Sequence, residues 1–260
     1  MQKSYSVSDL FYTDWNQISP QKIVEGYSHF CNTKTFEPGS EHHGASIIFT
    51  LRALRKNWRL VDKVNVAQAV DIFNELEPNL SKPWTTFFLN KVTANVRWYY
   101  APADKMSNRT FDHFIYADSC LTKSIHHKDE KLVQAELAKL VAILYLPSGE
   151  LYYQDEVVQR RAELLYKELK PWQLLFVMYT FGHIKKRIID GCPNLFPKSG
   201  GSSSEPVQDT LPMWFDIKMQ LANSGIFGDY EKVGRTGLYH VINALESLNR
   251  DKNKAHAQSK

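Results

Sequence analysis

At 260 residues, with 43% hydrophobic and 23% charged residues, the chain has a globular and not a disordered composition, and suits one large domain or two small ones. The formal net charge is +4, but the tail Arg250 to Lys260 sets Arg250, Lys252, Lys254 and Lys260 against Asp251 alone and carries three of those four charges. The near-neutral remainder argues against a dedicated nucleic-acid binder, which needs cations to neutralise phosphates.

Cys31, Cys120 and Cys192 are three in number, far apart and without a CxxC pair, which points to free thiols in a reducing cytoplasm. The opening residues lack the apolar core of a signal peptide. The longest apolar run, Leu174 to Phe181, falls far short of the roughly 20 residues that cross a bilayer. No membrane span is expected. Aromatic residues are 13% of the chain, which suits a large core and also suits large interfaces.

Residues 1–44 show no sustained period and read as an irregular arm with one short helix over Pro20 to Phe30. A helical pattern begins near Ala45 with Ile47, Ile48, Leu51 and Leu54; a second runs from Val64 to Leu76 and should close at Pro78. The stretch Pro83 to Tyr100 alternates like a strand through Val92, Ala94, Val96, Trp98 and Tyr100. Leu89, Val92, Val96 and Tyr99 also fit a helix, so a short β element near 85–100 stands beside a helical alternative. Thr110 is a candidate N-cap for a helix through Phe111, Phe114, Ile115 and Ala117. Lys131 to Tyr145 carries a broad apolar face of Leu132, Val133, Leu137, Leu140, Val141 and Leu144, and Pro147 follows it. Helices are then expected over Glu156 to Leu169 and Pro171 to Asp190, the latter with proline in its first turn and basic residues near its end. Lys198 to Pro206 has the composition of a flexible linker. Beyond it lie a helix after Thr210, a glycine-punctuated turn from Gly225 to Tyr230, and a helix over Thr236 to Leu248.

The expected architecture is thus all-α or mostly α. An irregular arm (1–44) precedes a helical body (45–197), a linker (198–206), a C-terminal docking segment (207–250) and a disordered basic tail (251–260).

Few constellations point to chemistry. The adjacent pairs His42-His43 and His126-His127 would diverge by about 100° on a helix and have no third ligand at metal spacing. No GxSxG, GxxxxGK or GxGxxG motif occurs. No catalytic residue, cofactor or metal site is assigned, and a non-enzymatic protein is expected. The rival, an enzyme with a dispersed site, would need a deep pocket with converging polar groups. A second rival, a nucleic-acid-associated protein, would need Arg52, Arg55, Lys56, Arg59 and Lys63 to form one exposed stripe; a solvated helix face is the simpler reading of that cluster.

The densest apolar load lies at Met213, Trp214, Phe215, Ile217, Met219 and Leu221, followed by Ile226, Phe227 and Tyr230. A short helix cannot bury that load alone, so it docks either on its own body or on a partner. Met213, Trp214, Phe215, Ile226, Phe227 and Tyr230 are the candidate partner-binding residues.

Three stretches resemble proteins of the tail gene clusters of tailed bacteriophages and prophages, often called tail assembly chaperone-like. They are Trp98-Tyr99-Tyr100-Ala101-Pro102 with Phe111 to Asp118, Leu137 to Pro147, and Met213 to Val233. The similarity covers about residues 95–250 and leaves the first 90 outside it. It implies a non-enzymatic assembly factor in the infected cell, without catalytic residues or cofactors. Its implied partners are tail proteins of the tape-measure or tail-tube type. The long N-terminal region departs from a compact chaperone and brings in the alternative of a virion component, such as a connector or ring subunit.

Overall fold

The computed structural model describes residues 11–12, 15–35, 40–56, 66–81, 89, 91–196 and 210–258. The fold is mostly α, with one two-stranded antiparallel sheet among the described residues. The chain divides into two compact units, Met1–Trp84 and Thr85–Lys260.

In the first unit, α1 (Pro20–Thr33), α2 (Glu41–Leu54) and α3 (Val66–Leu80) bury Ile23, Phe30, Ile47, Leu51, Leu54, Phe73 and Leu76. Pro20 opens α1, where a missing N–H is harmless, and the Ser40 hydroxyl caps α2 by accepting the His43 N–H at 3.2 Å. α1 and α2 approach closely at Gly26, where a Cβ would stand 2.7 Å from that of Ala53. Buried Trp15 donates its indole N–H to the Leu80 carbonyl at 2.9 Å, tying the chain before α1 to the end of α3.

In the second unit, β1 (Lys91–Ala94) and β2 (Arg97–Tyr100) form a hairpin. The helices follow: α4 (Phe111–His126), α5 (Glu130–Leu144), α6 (Asp155–Glu168), α7 (Pro171–Gly191), α8 (Leu211–Asn223), α9 (Tyr230–Arg235) and α10 (Leu238–Gln258). α4 is apolar or buried nearly all round, the pattern of a central helix, and it packs against α5, α7, α8, α9 and α10. α5 lies against α4, α6 and α7, with Leu137, Leu140, Val141 and Leu144 fully enclosed.

Several expectations need correction. The body expected over 45–197 is split, since α2 and α3 belong to the first unit. The short helix expected at Pro20 to Phe30 is present and runs on to Thr33 as α1, but it is packed against α2, whose start also falls within the 1–44 arm. α3 passes through Pro78, which gives up the hydrogen bond to the Asn74 carbonyl, and ends at Leu80, which is buried and accepts the Trp15 indole N–H at 2.9 Å. Of the two readings of 85–100, the short β element is the one present, as strands at Lys91–Ala94 and Arg97–Tyr100 around a turn, because the buried set Val92, Ala94 and Tyr99 follows a hairpin register. Thr110 stands at the N-cap position of α4, but its hydroxyl pairs with the His113 ring at 2.7 Å instead of capping the helix. α9 was not expected; Asp229 starts it by accepting the Lys232 N–H at 2.9 Å. The tail expected to be disordered continues α10 through Gln258. The linker, 198–206, lies outside the described residues.

Candidate protein-binding site

The C-terminal segment is part of the core of the second unit. Trp214 is 2% exposed, edge-on to Phe111, Phe114 and Phe196, and its indole Nε1 donates to Asp118 Oδ2 at 2.8 Å. Lys185 Nζ on α7 stands 2.5 Å from the other oxygen of Asp118. One helical turn and a half earlier on α4, Asp112 accepts buried Lys218 of α8 at 2.7 Å, and the same ammonium lies 4.0 Å from the Tyr230 ring centroid. Burial pushes the Asp112 carboxyl above its ordinary range, against the pull of Lys218. Gly234 is required beside this pair, because a Cβ there would collide with the Asp112 carboxylate.

The candidate residues of the segment therefore separate. Trp214 is enclosed, Phe215, Phe227 and Tyr230 are half-buried against their own unit, and Met213 and Ile226 remain exposed. Of the two docking modes open to the sequence, the structure realises the one on its own body.

The C-terminus of α5 is fixed by two arginines from elsewhere. α5 has no basic residue in its last turn, so its terminal carbonyls need outside donors. Arg109 gives Nε and Nη2 to the Leu144 carbonyl at 3.0 and 2.7 Å. Arg161 of α6 gives Nη1 to the Ala142 carbonyl at 2.7 Å, while Nη2 meets both Glu150 oxygens at 2.5 and 2.6 Å. Both arginines are buried, and burial pulls the Arg109 guanidinium down to about 10. The Arg161 bonds tie α6 to the end of α5.

The pair carries an open groove of about 370 Å³ between α5 and α6. Leu132, Ala135, Ala162 and Tyr166 give it an apolar floor; Lys131, Lys139 and Lys167 stand on its rim with Glu163. Leu132 is 49% exposed and Tyr166 37%, an unusual state for large side chains over a shared apolar surface. The sequence held a signal for it. An apolar face on α5 that includes both Leu132 and Leu144 is broader than one neighbour can cover.

The remaining sequence candidates do not converge. Arg52 lies over Phe49 and Lys56 over Tyr12 at 5.5 and 5.3 Å, Arg55 is half-buried, and Arg59 and Lys63 lie outside the described residues. No group of three or more His, Cys, Asp or Glu is placed to hold a metal among the described residues. No helix among them is long and apolar enough to cross a membrane. Buried His113 is pulled down to about 3, chiefly by desolvation and then by Arg109 and Arg161, so it is neutral at pH 7. No protein-family model, curated protein or solved structure matches the chain.

Proposed function

We propose that the protein is a non-enzymatic assembly factor that binds other proteins, and that its partners are phage tail proteins of the tape-measure or tail-tube type. The partner class rests on the resemblance of the stretches over 98–118, 137–147 and 213–233. The observation that carries the binding role is the open α5–α6 groove, an apolar floor between two packed antiparallel helices. Grooves of this form take the apolar face of an amphipathic helix, with anchors at i, i+3, i+4 and i+7. Lys139 is paired with Glu136 at 3.0 Å, which leaves Lys131 and Lys167 beside Glu163 on the rim, a small positive excess that favours a helix with acidic flanks. In this reading the protein acts in the bacterial host cell and shields an apolar helix of a long tail protein until assembly.

The test is a photo-crosslinking residue at position 166, in cells that express the tail genes around it. A crosslink to a tape-measure or tube protein that disappears with Leu132→Glu supports the role. Crosslinks unaffected by Leu132→Glu, or none above a control at an exposed site away from the groove, overturn it. Finding the protein at fixed stoichiometry in purified particles would replace the chaperone reading with that of a virion component.

A further inference from the structure

The hairpin β1–β2 is built in a manner that local sequence preference does not explain. Its two-residue turn puts Asn95 and Val96 at φ 47° and 63°, a left-handed conformation that glycine and asparagine accept and a β-branched residue resists. The turn is held from outside: both oxygens of Glu168, at the end of α6, accept the Asn95 N–H at 2.9 and 3.0 Å. Strain held by tertiary contacts gathers at functional positions. Here it presents Val96, 91% exposed, beside Trp98 and Tyr100, which are 47% and 46% exposed on the outer face.

The edge of β2 is half used. The register pairs Ala94 with Arg97 across the turn, so Trp98 and Tyr100 direct their backbone groups away from β1. Tyr100 spends its pair on Leu146, donating to its carbonyl at 2.8 Å and accepting its N–H at 3.1 Å. After Leu146 the bridge ends, and the chain turns at 147–150, with Pro147 and Glu150 lining the pocket on the Arg97 and Tyr99 face. The N–H and C=O of Trp98, two residues along the same edge, therefore face outward beyond the last bridge.

Beside that edge, on the face of Arg97 and Tyr99, lies a pocket of about 260 Å³ between the hairpin and α6. Its walls include Tyr99, Val157 and Leu164; its charges are Arg97, Arg160 and Arg161 against Glu150. Glu150 is bound to Arg161, and Arg97 and Arg160 are exposed, with Arg160 only 3.7 Å from an equally exposed Glu156. The pocket thus has two exposed guanidiniums beside an apolar wall, Arg160 sharing its charge with Glu156, and guanidiniums are suited to carboxylates.

We infer that the open edge of β2 binds an extended acidic peptide segment of another protein, which pairs with the Trp98 backbone and places a carboxylate side chain between Arg97 and Arg160. The alternation of a strand sets the spacing. The peptide residue opposite Trp98 lies on the outer aromatic face, and the residue next to it turns toward Arg97 and the pocket. The preferred sequence is therefore a β-branched residue followed by Asp or Glu. This surface is separate from the α5–α6 groove and stands whether or not that groove takes a helix.

The probe is a fluorescein-labelled hexapeptide, Thr-Val-Glu-Val-Thr-Val with blocked ends, titrated into the full chain at low salt and read by anisotropy. The Glu peptide should bind at least about tenfold more tightly than the same peptide with Gln, and the Lys version more weakly still. Methylation of alternate peptide nitrogens on the pairing edge should abolish binding, and Arg97→Glu with Arg160→Glu should reverse the charge preference. Equal binding of the Glu and Gln peptides, a comparison that needs no variant, overturns the proposal. So does no binding of the Glu peptide up to about 1 mM, where an interaction is worth only about 4 kcal/mol.

Discussion

The indole N–H of Trp214 meets the Asp118 carboxylate at 2.8 Å across 96 residues of sequence, and both side chains are buried. This bond joins α8 to the central helix α4, and Lys185 brings α7 to the same carboxylate. A buried carboxylate is tolerable only when such partners surround it.

Trp214→Ala should therefore destabilise the second unit by about 3–5 kcal/mol, the usual cost of emptying a large aromatic site. Trp214→Phe keeps most of the apolar volume but leaves an Asp118 oxygen without its donor, at about 1–3 kcal/mol. Urea unfolding followed by a probe in the second unit checks both. A change below about 0.5 kcal/mol for the alanine variant would mean that the segment is not core.

Lys218→Ala would leave the half-buried Asp112 without its hydrogen-bonded cation and should cost about 1–3 kcal/mol. Gly234→Ala should also destabilise, because the new methyl drives the Asp112 carboxylate off its position beside Lys218. The two losses share one group, so Lys218→Ala with Gly234→Ala should cost less than their sum. Strict additivity of the measured losses would separate Gly234 from the pair.

His113 supplies a pH signature. Its folded value is about 3 against an ordinary 6.5, so the unfolded chain binds the extra proton between those limits. Stability from this group is complete above pH 6.5 and is lost as pH falls toward 3, at up to about 1.4 kcal/mol per pH unit. His113→Gln should flatten the fall in unfolding free energy between pH 6.5 and 4 relative to the parent chain. An identical slope in the two proteins would show that His113 is not held neutral.

The helices from Phe111 to Gly191 were legible because each has a sustained apolar period and a local stop, such as Pro147 after α5 or Pro193 after α7. α9 was hidden by its length of six residues, too short to show a period, with only Asp229 to mark it. The strand at 91–100 could not be told from a helix, since its turn has non-glycine residues and relies on Glu168, 73 residues away. For the same reason the division near residue 84 was invisible: it is set by which helices pack together, not by a change of composition. The aromatic richness of 213–230 identified an element that must dock, but only the partners Asp112, Asp118 and Lys185 decide where. The groove was half legible. Leu132 was in the apolar set of α5, while the lysine rim depends on the register of α5 against α6.

The most direct measurement of the protein-binding role is the affinity for the tail protein captured at position 166, by calorimetry with purified components. The wild-type chain is compared with Leu132→Glu combined with Tyr166→Glu. Leu132 is 49% and Tyr166 37% exposed, so the variant should lose about 0.5–2 kcal/mol of unfolding free energy and still fold. Its affinity should fall by at least about tenfold, or 1.4 kcal/mol, because two glutamates replace the apolar anchors and oppose the acidic flanks of the partner. An unchanged affinity in a variant that folds normally would contradict the account.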